Sequence, residues 1–182
     1  MLRSLLAVCL CSLAPARAEE PKPSLLIAGA LRFEAPKGWQ REEYSNGGGA
    51  DPVEAFVSGE DRIIVRVFGA PGSGYKDAAS FLAGPGASTM GQPPEKAGSA
   101  RVSGRERSLY KRGFPINQGD PHVPSGRQQM LGRELFLILP AAKGRFAVLS
   151  YSRESPAPDL ERRGEKAWAA FLKTVKLAGR KT

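Results

Sequence analysis

Glu134-Leu135-Phe136-Leu137-Ile138-Leu139, followed by Pro140-Ala141-Ala142-Lys143-Gly144 and then Arg145-Phe146-Ala147-Val148-Leu149-Ser150-Tyr151, is the stretch that decides the fold. The unbroken apolar run 135–139 suits a strand buried on both faces. Pro140 and Gly144 bracket a turn, and residues 145–153 return as a second strand through Phe146, Val148, Leu149 and Tyr151, so the pair reads as a hairpin. A strand covered on both faces needs a layer on each side of its sheet.

Toward the C-terminus, Pro156 and Pro158 stop the hairpin, and Asp159 is placed to cap a helix. Its Leu160, Gly164, Ala167, Trp168, Phe171 and Val175 follow helical spacing, with Lys173 and Lys176 near its negative end. Toward the N-terminus, residues 113–126 carry prolines and Asn117-Gln118-Gly119-Asp120 and read as an exposed loop. Residues 101–112 have the length of an edge strand or of a hairpin around Gly104, and residues 85–99 read as a Gly/Pro/Ser-rich connection. Residues 75–83 predict a short helix, since Ala78, Ala79, Phe81 and Leu82 cluster on one side. Residues 53–58 and 62–68 predict two strands joined by a turn at Gly59-Glu60-Asp61, with Ile63, Val65 and Val67 on one face. Residues 41–52 form a polar loop with Gly47-Gly48-Gly49, and the apolar stretches of 25–35 are interrupted by Gly29 before a Pro36-Lys37-Gly38 turn. The order predicts an α+β fold, a largely antiparallel sheet with helical cover and one face thinly covered.

The chain begins with Arg3, an apolar stretch over 5–13 and the small-x-small site Ala16-Arg17-Ala18, the pattern of a secretory signal peptide cleaved after Ala18. Residues 1–18 are therefore expected to be removed and 19–182 to form one domain. Both cysteines, Cys9 and Cys11, lie in the leader, so no disulfide is expected in the mature chain. Val8 before Cys9 argues against a lipid-anchored form. The expected location is the periplasm or the extracellular space, with no transmembrane segment.

Of the whole chain's net charge of +9, removal of Arg3 and Arg17 leaves +7. Residues 19–100 have a net charge of −3, whereas residues 101–145 reach +6. Arg101, Arg105, Arg107 and Lys111 would share one face of a continuous strand and, with Arg112, make a candidate surface for an anionic partner, whether an envelope protein, an anionic lipid or a glycan. The competing reading is a solvated edge that keeps the strand unpaired. Export and the lack of aromatics among these cations argue against nucleic acid.

Catalytic material is scarce. His122 is the only imidazole and reads as a surface residue, leaving neither a zinc set nor a second histidine base. Gly69-Ala70-Pro71-Gly72-Ser73-Gly74 lacks the Lys-Ser/Thr ending of a P-loop and reads as a plain loop. Glu42-Glu43 and Glu60-Asp61 are adjacent carboxylates, but neighbours in a loop usually diverge. Trp39, Phe33, Phe136, Phe146, Trp168 and Phe171 read as core, and Tyr75 and Tyr110 as candidates for exposed contacts. No cofactor or metal is expected, and a non-catalytic protein is the first reading.

Phe33-Glu34-Ala35-Pro36-Lys37-Gly38-Trp39, the blocks 134–139 and 144–151, and the closing helix with Trp168, Phe171 and Leu172 followed by Val175-Lys176-Leu177 together resemble the PsbP-like family. That family includes the photosystem II extrinsic subunit, the Ran-binding Mog proteins and the periplasmic DcrB-like proteins. The resemblance implies an α/β/α sandwich around an antiparallel sheet and a non-enzymatic domain that docks on other macromolecules. The expected function is an exported, non-catalytic binding or accessory protein of the bacterial cell envelope. The alternatives are a small-molecule or lipid carrier with a pocket between sheet and helix, and a hydrolase with an unrecognised carboxylate site.

Overall fold

A computed structural model describes residues 24–43, 50–89, 91–115, 131–153 and 158–178. The hairpin that opened the reading is its centre. Strand β8 (Leu131–Pro140) and strand β9 (Phe146–Arg153) pair antiparallel from Arg133↔Arg153 to Pro140↔Phe146, joined by a 3-10 turn at Ala142–Gly144. The other strands of the main sheet are β3 (Gln40–Glu42), β4 (Val53–Ser58), β5 (Asp61–Phe68), β6 (Glu95–Val102) and β7 (Arg105–Pro115). The seven strands pair antiparallel in the order β3-β4-β5-β9-β8-β7-β6. A smaller three-stranded sheet, β1-β2-β10, joins β1 (Ser24–Ile27), β2 (Leu31–Glu34) and the short β10 (Lys176–Leu177).

Alternation along β8 distributes its apolar run between two cores. Leu135, Leu137 and Leu139 face the larger core, which they share with Phe33, Phe56, Ile63 and Leu149 beneath helix α2 (Pro158–Thr174) and the small sheet. Phe136 and Ile138 face the opposite side, where Phe68, Phe81 and Phe146 pack beneath helix α1 (Ala78–Ala83) and its flanking loop. The second cover is thin because α1 has only six residues. Asp77 caps it: Ser80 N donates to Asp77 Oδ1 at 2.7 Å, and Asp77 N donates back to Ser80 Oγ at 3.2 Å.

The sequence reading needs correction at five places, one being the cap expected at Asp159, since α2 already begins at Pro158. Residues 95–100 lie in strand β6 rather than a connection, and residues 113–115 extend β7 rather than belonging to a loop. Gln40–Glu42 forms a short edge strand where a polar loop is expected. These segments are extended because the next strand along the chain offers them a ladder, which their own composition does not signal. The helix predicted from residue 75 starts only at Ala78, because Tyr75 packs its ring on Phe68 and Phe81 instead. The leader with Cys9 and Cys11, the triple glycine at 47–49 and His122 lie outside the described residues.

Candidate functional surface

The four-cation stripe expected on one face loses Arg101, because residues 101–112 are a hairpin. Ser103 and Gly104 make the turn with φ of 49° and 73°, so Arg101 sits on β6 and the other four cations on β7. Arg101 pairs in register with Glu106, whereas Arg105 pairs with Val102 and Arg107 with Ala100. Register partners share a face. Arg105, Arg107 and Lys111 therefore project toward the α2 side, and Arg101 and Arg112 toward the α1 side.

Two of the five have structural partners. Lys111 Nζ lies 2.8 Å from Glu95 Oε2, an exposed pair on the edge hairpin. Arg112 is engaged more deeply: its Nε donates to the buried Glu134, and its Nη1 donates to the Gly86 carbonyl at 2.7 Å. That contact ties the loop after α1 to the sheet. Tyr75 strengthens the same closure, with Gly86 N donating to its hydroxyl at 2.6 Å. Tyr75, singled out as a contact residue, thus serves the second core, as does Tyr110, stacked on Phe136 at 5.3 Å between centroids.

The adjacent carboxylates Glu60 and Asp61 also face a cation. Arg153 is buried, with Nη1 3.7 Å from Asp61 Oδ1 and Nη2 3.8 Å from Glu60 Oε2. Tyr151 donates its hydroxyl to Asp61 Oδ1 at 2.8 Å. Burial first, then the bond to Asp61 and its charge, hold this phenol above its ordinary range. Helix α2 crosses at Gly164, where a Cβ would stand 2.1 Å from Tyr151 Oη. The arrangement anchors α2; among the described residues no group of three His, Cys, Asp or Glu is placed to hold a metal ion.

A cleft of about 520 Å³ lies between α1 and the sheet. Leu82, Tyr110, Ile138 and Phe146 contribute apolar surface, while Asp77, Glu106, Ser108, Arg107 and Arg145 also line it. Asp77 is committed to its cap, and its carboxyl is lowered chiefly by the hydrogen bond from the Ser80 backbone, then by the Ser80 side chain.

The cations collect instead where three turns and the end of α2 meet. Ser103 Oγ donates to the Val175 carbonyl at 2.8 Å, joining the β6–β7 turn to the end of α2. Arg145 Nη1 approaches the Ala28 carbonyl at 3.4 Å, and Ala178 N donates to the Ala30 carbonyl at 2.9 Å, drawing in the β8–β9 and β1–β2 turns. Arg105 leaves the first turn, Lys143 and Arg145 occupy the second, Lys173 lies in the last turn of α2, and Lys176 stands opposite Arg32. Lys143 has φ of 60°, a conformation that places a side chain at the tip of a tight turn. Glu106 and, further along β2, Glu34 are the acidic neighbours on these strands. Arg32 and Lys176 were not singled out from the sequence, since their pairing joins the two ends of the domain and leaves no local signal.

These features define an antiparallel α+β protein whose main sheet is packed on both faces. No family model and no curated protein matches the chain. A crystal structure from Bacteroides thetaiotaomicron VPI-5482 at 1.50 Å resolution is similar at a TM-score of 0.48 and 10% identity, over 88% of this chain and 49% of that one. The chain thus spans about half the length of that structure. Among the described residues, no helix is long and apolar enough to cross a membrane.

Proposed function

We propose that this chain is an exported, non-catalytic binding or accessory domain of the bacterial cell envelope, an α/β/α sandwich of PsbP-like type that meets an anionic partner through its basic pole. The observation that carries the reading is the hydrogen-bonded convergence of the β6–β7 turn, the β1–β2 turn, the β8–β9 turn and the end of α2, which brings Arg105, Lys143, Arg145, Lys173 and Lys176 to one region. Several charges elsewhere are matched at short range, as in Arg112–Glu134, Lys111–Glu95 and Arg41–Glu54. A cationic region on a folded surface attracts anionic partners and speeds their encounter. The leader at residues 1–18 supports export.

The binding half is tested by retention on dextran sulfate beads. Arg105→Glu/Lys143→Glu is expected to elute at lower salt than wild type, and elution at the wild-type salt would refute the reading. The cleft beneath α1 supports a second reading, a carrier for a small amphipathic molecule, because its volume lies in the range of ligand sites. Leu82→Trp would then abolish uptake of an apolar fluorescent probe; binding that survives the substitution argues against it.

A further inference from the structure

The solvent face of the small sheet carries an unusual row. Leu26 pairs in register with Arg32 across β1–β2, and Arg32 pairs with Lys176 across β2–β10, so three side chains stand side by side. All three are exposed, and Leu26, at 52%, is the one large hydrophobic side chain left open to solvent among the described residues. Two cations directly opposite one another on a sheet repel. An apolar side chain held in water at the end of that row gains nothing from burial. Both costs fall if an anionic surface with an apolar interior covers the row.

The kind of surface follows from how the charge is presented. Lys173 lies in the last turn of α2, three residues before Lys176, and Arg145 reaches the β1–β2 turn through the Ala28 carbonyl, so both add positive charge to the same end of the domain. Arg32 and Lys176 are long, exposed side chains set side by side across a sheet with Leu26 next to them, an arrangement that suits a laterally mobile layer of headgroups. A bilayer supplies that layer and, a few ångströms beneath it, hydrocarbon for a leucine. A soluble polyanion supplies only the charge. Glu34 shares the face, paired with Ser24 at the far end of β1 and half-buried, so it leaves the row itself cationic.

We infer that the row Leu26, Arg32 and Lys176, together with Lys173 and Arg145 at the same end of the domain, docks this protein on an anionic lipid bilayer with Leu26 entering the headgroup layer. The inference rests on the reading of the basic pole as a binding surface.

The test is flotation of protein, purified from a bacterium expressing the whole chain, with vesicles of phosphatidylglycerol and phosphatidylcholine in equal parts or of phosphatidylcholine alone. Binding is expected only to the anionic vesicles and is expected to be lost in high salt. Arg32→Glu/Lys176→Glu should weaken partitioning by about 25-fold or more, taking each surface cation as worth about fivefold. Leu26→Ser should weaken it by about tenfold with the charge unchanged. Lys96→Glu/Lys166→Glu, which alters net charge equally at exposed positions away from the row, should bind as wild type. Circular dichroism melting keeps folding defects apart from docking defects. Equal loss in both double variants would overturn the inference, because total charge and not the row would govern binding. Unchanged binding of Leu26→Ser would remove the bilayer as partner. If dextran sulfate retention falls on pole reversal while phosphatidylglycerol vesicles never bind, the basic pole stands and the lipid inference fails. If neither matrix senses the pole, both fail.

Discussion

Gly164→Ala sets two known effects against each other. Alanine replaces glycine in the interior of α2, which by helix propensity alone stabilises by about 1 kcal/mol. The new Cβ, however, would sit 2.1 Å from Tyr151 Oη and 2.7 Å from Asp61 Oδ1, far inside contact distance. Tyr151 has little room to retreat: it is buried, with its ring stacked against Trp168 at 6.4 Å between centroids. Relief requires either moving α2 away from the sheet or breaking the Tyr151–Asp61 hydrogen bond. Overpacking of this kind costs about 1–3 kcal/mol, and a lost hydrogen bond to a charged acceptor about 1.5–3 kcal/mol. The two are alternatives in part, so the net expectation after the propensity gain is a destabilisation of about 2 kcal/mol. Urea unfolding followed by Trp fluorescence measures it, and the thermal midpoint should fall by about 4–8 °C. In the Tyr151→Phe background the hydroxyl is gone and the penalty for Gly164→Ala should shrink. A Gly164→Ala protein stabilised by about 1 kcal/mol would refute the packing account of how α2 meets the sheet.

The same phenol gives a pH prediction. Its folded pKa is raised by burial and by Asp61, so the stability it contributes is present below the ordinary tyrosine pKa and is lost as pH rises beyond about 10. The stability of wild type relative to Tyr151→Phe, measured in urea, should therefore fall above that pH by about 1.4 kcal/mol per unit; a constant difference would contradict it. For the Arg112–Glu134 pair, in which Glu134 is buried and Arg112 half-buried, Glu134→Ala should cost about 1–3 kcal/mol by leaving Nε without its acceptor while Nη1 keeps the Gly86 carbonyl, whereas Arg112→Met/Glu134→Leu should cost less; equal losses would argue against the unpaired donor as the cause. Gly86→Ala places a Cβ 2.6 Å from Tyr75 Oη and 2.9 Å from Phe81 Cε2, so it should loosen the cover of the second core and raise hydrogen exchange in α1. Unchanged exchange would show that the loop yields without disturbing the helix. Intact mass of the protein from the periplasmic fraction should match a chain beginning at Glu19; an unprocessed chain confined to the cytoplasm would refute export.

How much of this was legible in the sequence depended on how local each signal is. The hairpin of β8 and β9 and the two-faced burial of residues 135–139 follow from an apolar run next to a Pro/Gly turn, and the structure has both. Strands β4 and β5 were equally readable, because period and punctuation agree there; the closing helix was readable from its period, but its start was not, since it begins at Pro158 and takes Asp159 inside. The β6 strand was not, since residues 95–100 are polar or small and become a strand only through the ladder with β7. The arrangement of the five candidate cations was hidden for a related reason. Parity along a continuous strand puts Arg101 with Arg105 and Arg107, but a two-residue turn at Ser103 and Gly104 moves Arg101 to the opposite face. Lys111 and Arg112 look free in the sequence, and only the fold reveals Glu95 and Glu134 beside them. The row of Leu26, Arg32 and Lys176 needs a pairing between the second and last strands, for which no local pattern exists.

Lysine footprinting on the wild-type protein tests most directly whether binding is confined to the basic pole. Brief acetylation in the presence and absence of anionic vesicles, read by peptide mass spectrometry, compares Lys143, Lys173 and Lys176 with Lys96 and Lys166, all exposed in the free protein. Protection of the first three with the last two unchanged is the predicted result. Uniform protection, or protection centred on Lys96 and Lys166, would contradict it.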